Sequence, residues 1–265
     1  VIRDGVLPAR LFPEAGPQRS VWPPVTVFFL VATVAAGLFG AVQPVTGVPA
    51  EVIQLTQFGP AVAVAVVGLC WPVRTPMLLR GALRGPGGGR LRRWPLLAMA
   101  PLIILVAVGA CGLLTGDVDF TAFGELSHPF ALIVPAQFLG ACAEEIGWRC
   151  LLQPLMRVRF GPVGASVVVG VLWGLWHVPV FGQGARYAGG FLVATVSISV
   201  VLGLALERVR SYRLPLAAGF HTLINLGMLL FLNEESGAVL PMALFGASSL
   251  IVALAWAGSG RFARP

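Results

Sequence analysis

Charge is scarce in this chain. Of its 265 residues only 11% are Asp, Glu, Lys or Arg, and lysine is absent, so the net charge of +7 comes from arginine alone. So little charge excludes an ordinary soluble globular composition. Cysteine is sparse too. Cys70, Cys111, Cys142 and Cys150 lie in or beside apolar runs, and no CxxC pair exists. That excludes a zinc knuckle or a disulfide framework, and the four read as small buried hydrophobes. HExxH is absent, as is the GxxxxGK[ST] spacing of a phosphate-binding loop. The Gly-rich stretch Trp71 to Trp94, with Arg74, Arg80, Arg84, Arg90, Arg92 and Arg93, therefore reads as a cytoplasmic connector. No cleavable signal peptide, internal repeat or second domain is expected.

What the chain does have is apolar length: 57% hydrophobic residues and a mean hydropathy of +0.87. The expected fold is all-α, a polytopic membrane helix bundle of about eight transmembrane helices. The runs are Pro24–Val42, Val52–Cys70, Pro95–Leu114, Phe130 to about Met156, Val163–Phe181, Gly190–Glu207, Leu214–Leu232 and Ala238–Ala257. Each approaches the 17–25 residues that cover a hydrocarbon core. Residues 1–22 read as a cytoplasmic N-terminal tail, 23–257 as one transmembrane domain and 258–265 as a cytoplasmic C-terminal tail. With the N-terminus inside, nearly every arginine falls on inner segments. The outer loops hold only Arg186 against Asp117, Asp119, Glu125, Glu234 and Glu235, the asymmetry of the positive-inside rule. Both termini are thus expected in the cytoplasm, and the basic charge reflects topology rather than nucleic-acid binding.

A few polar residues break the apolar runs. Ala143-Glu144-Glu145-Ile146-Gly147-Trp148-Arg149 puts two carboxylates and a guanidinium in the fourth span. Buried ionisable groups cost about 2.5–3.5 kcal/mol each on insertion scales and mark function or pairing. Glu145 and Arg149, four apart, are placed to pair on one helix face. Glu144 points about 100° away, with no cation at i+3 or i+4, and reads as the reactive carboxylate. His177 closes Trp173-Gly174-Leu175-Trp176-His177 in the fifth span, and His221 and Asn225 share one face of the seventh. Counting about 1.5 Å per residue from the cytoplasmic ends puts His221 roughly 10 Å deep, Glu144 roughly 18 Å and His177 about 21 Å.

EExxxR, aromatic-xxx-His and HxxxN, in that order on successive apolar helices, resemble the CPBP family. It groups type II CAAX prenyl endopeptidases with bacteriocin-processing and bacteriocin-immunity membrane proteins. Here the motifs read EEIGWR (Glu144 to Arg149), WGLWH (Trp173 to His177) and HTLIN (His221 to Asn225), within a motif core of 131–232. The family's second motif more often begins with Phe; this chain has Trp173.

The resemblance implies hydrolysis of a peptide bond within the membrane. Glu144 would act as general base on a water, with His177 orienting that water or returning a proton to the leaving amine. His221 and Asn225 would stabilise the oxyanion, and Glu145 and Arg149 would support the site. Trp148, Trp173 and Trp176 could line a substrate groove or simply pack. No cofactor is required by this scheme. Zinc is the one to weigh, because Glu144, His177 and His221 could supply three ligands; the metal-free Glu/His scheme is favoured, since it also uses Asn225. Expected partners are membrane lipid and a membrane-associated peptide or protein substrate. The expected location is the cell membrane, multi-pass, in a bacterium, since all-Arg, Ala/Gly/Val-rich usage suggests a GC-rich genome. The alternative is a non-proteolytic binding protein of the same fold, such as a bacteriocin self-immunity factor. A proton-relay transporter is disfavoured because no two-fold symmetry of broken helices is visible.

Overall fold

The computed structural model describes residues 20–83, 94–118, 120–207, 209–232 and 237–259. Most of the expected N-terminal tail, most of the C-terminal tail and the Arg84–Arg93 part of the basic connector lie outside these residues. Among the described residues there are helices and turns and no strand. The helices are α1 (Trp22–Thr46), α2 (Gly59–Cys70), α3 (Arg74–Leu78), α4 (Trp94–Thr115), α5 (Phe130–Glu145), α6 (Gln153–Trp176), α7 (Ala185–Leu206), α8 (Arg213–Phe231) and α9 (Val239–Gly258). A 3₁₀ turn, Leu55–Phe58, leads into α2, and a second, Val178–Gln183, follows α6. This is a polytopic helical membrane protein.

The separate spans differ in detail from the sequence expectation. Among the described residues, six helical stretches are long and apolar enough to cross a membrane. The expected second span is a shorter apolar helix, Leu55–Cys70. The expected fourth and fifth spans form one stretch of 47 residues, Phe130–Trp176, far more than the ~20 a single crossing needs. The basic turn between them is not a loop. The chain bends at Gly161, at φ 68° and ψ −176°, a conformation that glycine reaches without a Cβ penalty, and Pro162 follows. Nor does α5 run on to Met156 as a plain α-helix. It gives way at Glu145 to a π-helical segment, Ile146–Leu152. The helix expected to reach Phe181 ends at Trp176, with His177 as its C-cap at ψ 60°. Pro179, two residues on, disfavours helix in the residue before it.

Helices α6 and α7 pack antiparallel along two matched rows of small residues. Ser166, Gly170 and Gly174 on α6 face Gly203, Ser199 and Thr195 on α7. A Cβ on Gly170 would lie 2.6 Å from the Val196 Cα and 2.8 Å from the Ser199 Cβ, and one on Gly174 would lie 2.6 Å from the Thr195 hydroxyl. The Ser199 hydroxyl donates to the Ser166 carbonyl at 2.7 Å, and Gln153 Nε2 donates to Ser166 Oγ at 2.9 Å. Where no water competes, such close approach is what holds helices together. It fixes α6, and with it Trp173, Trp176 and His177. At the end of α8 carrying Arg213, residues Gly81, Ala82 and Leu83 accept backbone bonds from Arg213, Leu214 and Tyr212, tying the segment after α3 to the α7–α8 turn.

Candidate functional site

Glu144 and Glu145 close α5, and their side chains part ways. Both are buried, at 2% and 0% exposure. Glu145 Oε2 lies 3.3 Å from Arg149 Nε. This is an ion pair by distance, but the N–H is not aligned for a hydrogen bond. Glu145 Oε1 lies 3.0 Å from His221 Nδ1. A carboxylate there accepts from Nδ1–H, which leaves Nε2 as the second functional nitrogen of His221. Arg149 also sits over the Trp173 ring, its Cζ 4.8 Å from the centroid, a cation–π arrangement. Glu145 thus holds a guanidinium and an imidazole at once.

Among the described residues, no basic group lies at hydrogen-bond distance from Glu144. Its oxygens accept instead from two neutral donors on other elements: Gln57 Nε2 at 3.2 Å and the Trp173 indole Nε1 at 2.9 Å. A carboxylate offers about four lone-pair directions, so two remain. His177 Nδ1 lies 2.8 Å from the Trp173 carbonyl, to which it must donate, so Nε2 is again the free nitrogen. Both imidazoles therefore carry the same tautomer, each fixed by an acceptor behind the ring.

Trp173 is the hub of the cluster. Its ring centroid lies 5.8 Å from that of His177 and 5.3 Å from that of His221, both edge-on. The same side chain bonds Glu144 and underlies Arg149. The substitution of Trp for Phe at the start of the second motif is therefore not neutral, since Phe would keep the ring contacts and lose the donor. Trp148 and Trp176 are interior. Trp148 is fully buried, edge-on to Phe28 at 5.2 Å and to Trp176 at 5.8 Å. The Trp176 indole donates to the Ala32 carbonyl at 3.2 Å. The three tryptophans are buried, with 0, 4 and 6% exposure.

Asn225 is the least integrated of the expected residues. It is half-buried, and its amide Nδ2 donates to Gln137 Oε1 at 3.1 Å. Gln137 in turn donates to the Glu51 and Val52 carbonyls, both at 3.4 Å. The second N–H of Asn225 has no acceptor described. Two residues that the motifs did not single out thus belong to the surroundings of the site, Gln57 and Gln137. Their signal in the sequence is faint: two glutamines in otherwise apolar runs, with Gln137, Gly140 and Glu144 at the i, i+3, i+7 spacing of one helix face.

Among the described residues, no group of three or more His, Cys, Asp and Glu side chains is placed to hold a metal ion.

Comparison with known proteins agrees with the motif reading. Residues 126–227 match the family model described as type II CAAX prenyl endopeptidase Rce1-like. Curated relatives include the lysostaphin resistance protein A of Staphylococcus aureus, in strains bovine RF122 / ET3-1, Newman and USA300. Each is 24% identical over 243 residues, covering 88% of this chain and 56% of the relative. The chain thus spans little more than half the length of these relatives. The resemblance to the CPBP family is borne out.

Proposed function

We propose, from the premise that residues 126–227 are of the Rce1-like kind, that the chain is an intramembrane endopeptidase acting on a membrane-associated peptide or protein. One observation carries the reading: an acid without a counter-cation and two imidazoles with free Nε2 atoms meet around the single ring of Trp173. Glu144 has lone pairs left to take a proton from a water that attacks the scissile carbonyl. Nε2 of His177 is free to hold that water or to pass a proton to the leaving amine. His221, with Nδ1–H committed to Glu145, donates from Nε2 to the oxyanion only as an imidazolium, whose charge Glu145 balances. Asn225 would add its second N–H; one such donor is worth about 2.7–4 kcal/mol of transition-state stabilisation in a serine protease. The scheme needs no metal. The membrane concerned would be the bacterial plasma membrane, with residues 23–257 as one transmembrane domain.

The test does not require the substrate to be known in advance. Membrane peptidomes are compared between a deletion strain and strains complemented with wild-type or Glu144→Gln chain. A peptide that stays uncleaved in the deletion and Glu144→Gln strains, and is processed with the wild type, is the expected result. Identical peptidomes in all three overturn the protease reading. The word "resistance" in the relatives' name favours a second reading, a binding protein of the same fold. It predicts that Glu144→Gln retains whatever protection the wild type gives. For the metal, elemental analysis of purified chain is expected to give well under one zinc per chain; one equivalent overturns the metal-free scheme.

A further inference from the structure

We propose that Gln57 is a positioning residue for Glu144, supplied by an element outside the family-matched region. The inference rests on the reading of Glu144 as the base. Gln57 lies on the 3₁₀ turn Leu55–Phe58, far from residues 126–227 in sequence, and is 5% exposed. Its Nε2 donates to Glu144 Oε1 at 3.2 Å across 87 residues of chain.

Four features aim it there. Gly59 lets the start of α2 approach α1, since a Cβ would lie 3.0 Å from the Ala36 nitrogen and closer still to the Ala32 carbonyl. Pro60 stands at the first turn of α2, where its fixed φ suits a helix start. Gln137, two turns before Glu144, clasps the Glu51 and Val52 carbonyls and so lays the segment before the turn along α5. Gly140, between Gln137 and Glu144 on that face, leaves the space that the Gln57 amide fills: a Cβ on Gly140 would collide with Gln57 Oε1 and lie 2.7 Å from its Cδ.

A neutral amide suits this position. A cation would neutralise Glu144 and spoil it as a base, and an apolar side chain would leave the carboxylate free to swing. A neutral N–H donor fixes the rotamer and leaves the charge in place. Glu145, the adjacent carboxylate, has the cation and the imidazole instead. The two acids are thus set apart by their partners, and Gln57 is half of what distinguishes Glu144.

The experiment uses the full chain in proteoliposomes as wild type, Gln57→Leu, Gly140→Ala and the double variant. The probe is dicyclohexylcarbodiimide, which labels protonated carboxyl groups in apolar surroundings. Mass spectrometry with fragmentation reads Glu144 and Glu145 separately. Loss of an N–H donor to the charged form favours the protonated form, so Gln57→Leu is expected to raise the labelling rate of Glu144 several-fold and to leave Glu145 unchanged. Gly140→Ala reaches the same bond from the other helix and is expected to give the same selective rise. The double variant is expected to exceed neither single one, the non-additivity of two changes that break one contact. An unchanged Glu144 rate in both single variants, an additive double variant, or an equal rise at both carboxylates overturns the proposal.

Cleavage of a quenched fluorogenic peptide with the sequence that the peptidome comparison identifies is read on the same samples. Gln57→Leu is expected to lower kcat on the order of 10- to 100-fold with little change in KM. A wild type that leaves the peptide intact counts against the protease reading, while the labelling still decides whether Gln57 holds Glu144.

Discussion

At the scale of single residues, the distinction between two neighbouring acids lies in their partners. Glu145 shares its oxygens between Arg149 and His221, while Glu144 accepts only from neutral donors. Removing one member of a buried ion pair costs about 3–5 kcal/mol, because the other charge is left uncompensated. Glu145→Gln is therefore expected to lower the yield of folded chain, read by gel filtration in detergent. Glu144→Gln is expected to leave that yield near wild type, since its amide keeps an acceptor oxygen. Trp173→Phe is the finer probe. It keeps an aromatic ring between His177 and His221 and deletes the bond to Glu144, for about 1.5–3 kcal/mol of bonding to a charged group. Cleavage is expected to fall roughly tenfold or more at that energy, and the melting temperature by a few degrees; wild-type cleavage would show that the indole N–H has no part in holding the base. Most of this cluster was legible in the sequence, because an ionisable residue in an apolar run is conspicuous. Glu144, Glu145, Arg149, His177 and His221 all announced themselves that way. The donors to Glu144 did not. Tryptophan is common in such runs for its packing alone, and the bond from Gln57 spans 87 residues, so no local pattern encodes it.

At the scale of elements, the α6–α7 contact is built on absences of side chain. Ser166, Gly170 and Gly174 meet Gly203, Ser199 and Thr195 in strict antiparallel order, and this seats the helix that ends at His177. Gly170→Leu is expected to separate the pair and destabilise the fold by at least the 1–3 kcal/mol of ordinary overpacking, read as a lowered melting temperature in detergent. Gly164→Leu, on the same helix, where a Cβ would meet only Phe160 in its own helix, is the control and is expected to be mild. Equal effects would show that the small row has no special part in the packing. Long helices were legible here as runs of apolar residues, and α4, α7, α8 and α9 lie within a few residues of their expected limits. The exceptions are informative. The Leu55–Phe58 turn and the break at His177 sit beside Pro60 and Pro179, and the apolar run in the sequence continues past both prolines. The Ile146–Leu152 segment has no sequence signature distinct from an α-helix, since its backbone is still helical and its residues, Arg149 apart, are still apolar.

At the scale of the whole molecule, one hydrophobic core runs from Phe28 on α1 to Trp256 on α9, while many large apolar side chains face outward, among them Leu38, Leu69, Leu105, Leu113, Leu139 and Leu254. An apolar interior under an apolar exterior is the pattern of a chain dissolved in lipid. Orientation follows from arginine. Alkaline phosphatase joined after Gly124, between α4 and α5, is expected to be active on the outer face, and joined after Arg210, between α7 and α8, to be inactive. The reverse pattern would invert the topology. Gly81 offers a stability test of the inner face: it sits at φ 78° and abuts the Arg210 carbonyl, so Gly81→Ala is expected to loosen the joint between α3 and the α7–α8 turn and speed trypsin cleavage after Arg210, which is exposed but held by that joint.

The π-helical segment has a consequence for how the chain tolerates length changes. The Gln153 N–H reaches back five residues to the Trp148 carbonyl, so one surplus residue is stored within an otherwise continuous rod, and everything after it is turned by about 100° relative to a plain α-helix. Deleting a single residue there would let the rod relax into ordinary winding with all its apolar character intact. It would also swing Gly147 and Trp148 off the α1–α2 face, where they meet Phe28 and Pro60, or Glu144 and Glu145 off the histidines, because the two halves can no longer be in phase with both. Loss of the Cys150 codon alone should therefore be as damaging as losing an acid, although it removes no chemical group the site uses.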